Sequence, residues 1–114
     1  MKKNTVYDCA VVTLERHPSE RLGNLSVIQS GDTLPFDVKR VFYIYDVPGG
    51  ESRGGHAHRA IKEFIVAVSG SFSVTLDDFS SGAIALVFTS DHFTHADHIK
   101  DYGEFLAMTE KARE

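Results

Sequence analysis

The chain has 114 residues, of which 42% are hydrophobic and 25% charged, with a net charge of −4. Those values fit one globular domain with a single core and exclude a broad basic nucleic-acid surface. One cysteine, Cys9, excludes an internal disulfide and suits a reducing, cytoplasmic setting. The longest apolar run near the start, Cys9 to Val12, is too short for a secretory leader, and no run approaches membrane-spanning length.

Most of the sequence predicts short strands. VYDCAVVTL (Val6 to Leu14) is rich in β-branched residues, and HPSERLGN then breaks it with Pro18 and Gly23. NLSVIQS predicts a second short strand, and GDTLPF a loop. VKRVFYIYD, from Val38 to Asp46, is the strongest strand signal. Alternation places Val38, Arg40, Phe42 and Ile44 on one face and Lys39, Val41, Tyr43 and Tyr45 on the other. EFIVAVSGSFSVTLDD predicts a hairpin, Phe64 to Val68 and Phe72 to Leu76, turning at Gly70. AIALVFTS predicts a buried strand. From His95, the recurrence of Ile99, Tyr102, Phe105 and Leu106 predicts a helix, with Thr94 and Asp97 in the spacing of a capping box. The expectation is a single domain over residues 1–114: an all-β sandwich or small barrel over about 5–90, then a C-terminal helix over about 95–110.

The chemistry concentrates at GGESRGGHAHR. His56 and His58 are two apart, so on a strand their imidazoles share a face. The wider spacing is Gly50, five residues, His56-Ala57-His58, four residues, Glu63, six residues, Gly70. That pattern resembles the first motif of the cupins, which form jelly-roll barrels. In metal cupins the two histidines and the carboxylate join a histidine from a second motif. No such motif follows His56 here, because Pro18, Pro35 and Pro48 all precede it. A set of His56, His58 and Glu63 alone is the pattern of an open Fe(II) or Mn(II) site.

FDVKRVFYIYDVPGGESRGGHAHR, GSFSVTLDD, FSSGAIALVFTSDHF and ADHIKDYGEFL together resemble the WxcM-like sugar 3,4-ketoisomerases. The resemblance implies a small cupin acting on dTDP-4-keto-6-deoxyglucose. It implies no metal or other cofactor, and a homodimer with exchanged or edge-paired strands. It also implies a migration of the keto group from position 4 to position 3 through an enediol. Imidazole suits both proton transfers, so His56 is expected as the base and His58 as its partner, with Tyr43 a donor to the sugar oxygen. Arg40 and Arg53 match positions expected near the diphosphate, with Arg21 a weaker match. His92, His95 and His98 are expected at the surface.

Two departures from the resemblance stand out. The family generally has glutamine where this chain has Glu63. After VTLDD, family members continue through a further strand pair, whereas here Asp78 runs straight into Phe79. The expectation is a shortened barrel lacking a hairpin of roughly 15 to 25 residues, with either its exposed sheet edges covered by a partner subunit or its site open and poorly active, the latter as in a non-catalytic sugar-nucleotide-binding paralogue.

Overall fold

The structure is a computed structural model that describes residues 9–53, 57–73 and 76–113. It has two compact units, one ending at Asp37 and the other beginning at Val38.

In the first unit, β1 (His17–Ser19) and β2 (Gly23–Leu25) form an antiparallel hairpin, with His17 opposite Leu25 and Ser19 opposite Gly23. The Ser19 hydroxyl accepts the Leu22 N–H at 3.0 Å and closes the turn. The predicted chain break is therefore itself a hairpin. Pro18 is tolerated in so short a pair because an edge strand does not require every N–H. The predicted strand over Val6 to Leu14 begins outside the described residues, and residues 9–14 are not in a strand. Val11 is 98% exposed. Strand propensity is a fit to a neighbouring pleated surface, and among the described residues no strand pairs with this segment.

The second unit is built on an antiparallel sheet ordered β3 (Arg40–Ile44), β6 (Ile84–Thr89), β5 (Glu63–Ser69). The central strand is the most buried, with Ala85, Val87 and Thr89 sealed from solvent. Register decides which residues share a face. Arg40 and Glu63 both oppose Thr89, Phe42 and Ile65 both oppose Val87, and Tyr43 and Val66 both oppose Leu86. Arg40, Thr89 and Glu63 thus form one row on the face that carries Phe42 and Ile44, and Tyr43 lies on the reverse. Ile44, Phe79, Ala83 and Ala85 form a buried cluster against Phe42, Val47, Phe72 and Leu76.

The predicted strand over Phe72 to Leu76 does not form among the described residues. The described part of the connection from β5 to β6 is instead looped. Ser71 N–H donates to the Ser80 hydroxyl and Ser80 N–H to the Ser71 carbonyl, both at 2.8 Å. Leu76 and Asp78 take left-handed φ values of 59° and 52°, which no extended strand permits. Phe72 and Phe79 stack at 5.2 Å inside this loop.

A second, two-stranded sheet pairs β4 (Ala57–His58) with β7 (His98–Ile99). Helix α1 (Tyr102–Arg113) follows and packs against β7. It starts later than the predicted 95, because Ile99 pairs with Ala57 and Asp101 supplies the cap. The Asp101 carboxylate accepts the N–H of Gly103 at 2.6 Å and of Glu104 at 3.2 Å.

Candidate active site

His58 ends β4, and Glu63 opens β5. Between them the chain turns around one carboxylate, that of Asp97, which sits just before β7. Asp97 Oδ1 accepts the N–H of Ala60 at 2.6 Å and of Ile61 at 3.2 Å. Its main-chain carbonyl accepts the Arg59 N–H at 2.9 Å, and its own N–H donates to the Thr94 hydroxyl at 3.3 Å. This wrapped turn gives the four-residue spacing between His58 and Glu63 its physical meaning. It reverses the chain so that both side chains point at one place.

There the His58 ring is bracketed. Nδ1 lies 2.6 Å from Asp97 Oδ2, and Nε2 lies 2.6 Å from Glu63 Oε1. All three side chains are largely buried, Glu63 being the most open at 20% and Asp97 the least at 8%. Burial alone would raise the Asp97 carboxyl. The Ala60 N–H, the His58 ring and the Ile61 N–H together outweigh it and hold the group below its ordinary value. Charge-assisted contacts of this length suit a site that stores and hands over a proton.

An aromatic chain links this bracket to Arg40. The His98 ring meets His58 edge-on at 4.8 Å, and Phe93 meets His98 at 4.6 Å and His95 at 4.8 Å. The Arg40 guanidinium lies 4.6 Å from the Phe42 ring and 5.4 Å from that of Phe93. His98 is thus part of the packing around His58 rather than a free surface residue, while His92 and His95 are exposed.

The structure brings His58 and Glu63 into contact and places Arg40 on the same face of the sheet as Glu63. It does not bring Tyr43 there. Tyr43 is on the reverse of that sheet, 61% exposed, with its ring 5.3 Å from that of Tyr45. The expected pairing of Tyr43 with the histidines presumed adjacent strands, but β3 pairs with β6 and β4 pairs with β7. Arg53 is exposed beside an open groove of about 470 Å³ that Tyr45, Asp46, Val47 and Glu51 also line. Arg21 is exposed in the hairpin turn of the first unit. His56 lies outside the described residues. With it goes one ligand of the His56, His58 and Glu63 metal set, and among the described residues no three side chains converge as metal ligands. Asp97 is the residue sequence reasoning missed. Its spacing from Thr94 imitates a helix cap, and the hydrogen bond to Thr94 does form, but it shapes a turn before β7. The signal was its place in ADHIKDY, within the tail that carries the resemblance.

The FdtA family, described as WxcM-like, C-terminal, matches residues 7–79 and 75–110. The chain is 32% identical over 111 residues to the TDP-4-oxo-6-deoxy-alpha-D-glucose-3,4-oxoisomerase of Aneurinibacillus thermoaerophilus, covering 73% of this chain and 80% of the relative. A 3,4-ketoisomerase from Helicobacter canadensis superposes with a TM-score of 0.77 at 27% identity, over 87% of this chain and 95% of that one. The QdtA sugar 3,4-ketoisomerase of Thermoanaerobacterium thermosaccharolyticum, solved in complex with TDP, superposes at 0.85 over 95% and 98%. Its identity of 22% speaks for the fold alone. These likenesses give the strands described above a cupin-type fold. The two matched segments of the family meet at residues 75–79, where a hairpin is expected to be missing. The alignment to the Aneurinibacillus enzyme agrees, since 73% of 114 residues falls well short of the 111 aligned positions. With the matched segments running through nearly the whole chain, and His58 and Glu63 of the cupin pattern meeting in one site, the protein belongs to the WxcM-like family of cupin-type proteins.

Proposed function

We propose that the protein is a sugar-nucleotide 3,4-ketoisomerase that moves the keto group of a TDP-linked 4-keto-6-deoxyhexose from position 4 to position 3. The observation that carries the reading is the bracketed His58, with both ring nitrogens committed to carboxylates, one of them Glu63 on the sheet face that also carries Arg40. The reaction removes the proton on carbon 3, passes through an enediol, and returns a proton to carbon 4 as the position-3 oxygen becomes the carbonyl. His56 is the proposed base. His58 and Glu63 share a proton that can protonate the enediol. Glutamine at position 63 would hold the ring but store no proton, so Glu63 gives this chain an acid that the resemblance does not supply. Arg40 and Arg53 are the proposed diphosphate contacts, each able to grip phosphate bidentately, with Arg21 a further one. Tyr43 has no part in this proposal, given its place on the reverse face.

We extend the proposal to a cytoplasmic homodimer that exchanges or edge-pairs strands. Its support is the unpaired, strand-prone segment over residues 9–14 and the β3 and β5 edges, which no strand covers among the described residues. Light scattering coupled to size exclusion tests it, and a monomer at micromolar concentration contradicts it.

Incubation with dTDP-4-keto-6-deoxyglucose in deuterated water tests the activity. The expected result is the 3-keto isomer with deuterium at position 4. A second reading has its own support. Ile65 and Val68 of β5 are solvent-exposed, Val68 near the strand end that enters the shortened β5–β6 connection, as in a binding paralogue that lost one wall of its site. TDP binding with no label in the sugar would establish that second reading and reject the first.

A further inference from the structure

We infer that Asp97 is a positioning residue: its carboxylate holds His58 with the proton on Nδ1, leaving Nε2 as the nitrogen that exchanges protons with Glu63 and the substrate.

The argument is a count of donors and acceptors. Oδ1 of Asp97 is committed to two main-chain donors, Ala60 and Ile61. Oδ2 therefore faces His58 as a pure acceptor, and at 2.6 Å it needs a proton on Nδ1. A bare Nδ1 there would set two lone pairs against each other in a site with little water to screen them. The two amide hydrogen bonds and the ring contact all favour the ionised carboxylate, which supports the same assignment. On the other side, one proton bridges Nε2 and Glu63 Oε1. It sits on either partner without moving a heavy atom, and Glu63 is the more open end of the chain. Exchange thus belongs to the Nε2 side, and Asp97 is the fixed end.

The Asp97 segment is itself held in place. The Arg59 guanidinium donates from Nε to the Ala96 carbonyl at 2.9 Å and pairs with Glu104 of α1. The helix thereby secures the loop that orients the imidazole.

The role in catalysis rests on the ketoisomerase reading, while the tautomer does not, so the test has two arms. In ¹⁵N-labelled protein, the His58 ring signals are assigned by their loss in His58→Gln, and a protonated Nδ1 is expected. Asp97→Asn keeps an oxygen for Ala60 and Ile61 and turns an NH₂ toward Nδ1. The expected result is a flip to the Nε2–H tautomer, with kcat falling on the order of 100-fold or more and KM unchanged. An unprotonated Nδ1 in the unmodified protein overturns the proposal whether or not the variant folds. So does an Asp97→Asn protein with the same tautomer and kcat. Absence of turnover in the unmodified protein would reject the isomerase reading and leave the tautomer arm to decide the role of Asp97.

Discussion

Gly70 and Gly82 lie in the same β5–β6 connection with nearly the same φ, +70° and +74°, but in different surroundings. A Cβ on Gly82 would meet nothing within 4 Å. One on Gly70 would fall 2.9 Å from Ala83 Cα and 2.5 Å from the Ser80 hydroxyl oxygen, which already accepts the Ser71 N–H. Alanine at either position meets the left-handed penalty of about 1–2 kcal/mol, offset by about 0.4–1 kcal/mol from a stiffer unfolded chain. Those terms are common to both and cancel in the comparison. Gly70→Ala alone adds overlap with backbone that cannot swing away, about 1–3 kcal/mol by analogy with overpacked sites. We expect Gly82→Ala to cost about 1 kcal/mol or less, and Gly70→Ala about 2 kcal/mol more. In urea, with a slope of roughly 1–2 kcal/mol per M, the extra loss lowers the midpoint by about 1–2 M. Equal midpoints for the two variants would refute the close packing of Gly70 against Ser80 and Ala83.

Asp97 sets an acid dependence. Its folded value lies below the ordinary 3.8, so its contribution is fully present above that pH and is lost as pH falls through the folded value. Urea midpoints of the unmodified protein and Asp97→Asn should therefore converge in acid and separate above about pH 4; a constant gap across pH 2.5–6 contradicts this. Arg59→Met removes the contacts to Ala96 and Glu104, but the ion pair is half-exposed, so global stability should fall by only about 0–1 kcal/mol. Amide exchange in α1 should rise all the same, and unchanged exchange would show that the helix does not depend on Arg59. Tyr43→Phe should leave kcat/KM within about twofold, since no transition-state contact is lost, and a tenfold drop would place the hydroxyl in the site.

The alternation in VKRVFYIYD was legible because a half-buried strand imposes a two-residue period, and Phe42 and Ile44 do face the core while Val41 and Tyr43 do not. The meeting of His58 with Glu63 was legible as a spacing. What lay beyond reach depended on partners distant in the chain. The face that Glu63 shares with Arg40 is set by both residues opposing Thr89 across β6, a register no local pattern encodes. Among the described residues of the strand expected at Phe72 to Leu76, Leu76 sits in a left-handed conformation that its residue type does not announce, and Asp78 just beyond it does the same. The helix start moved from Thr94 to Asp101 because two plausible caps compete and β7 pairing takes the first. Asp97 was hidden for the same reason.

The central claim, proton transfer at the bracketed imidazole, is tested most directly by the turnover of dTDP-4-keto-6-deoxyglucose in His58→Asn beside its affinity for TDP. The account predicts that isomerisation followed by NMR falls on the order of 100-fold or more while TDP binds as before. Isomerisation by His58→Asn at the rate of the unmodified protein would contradict it.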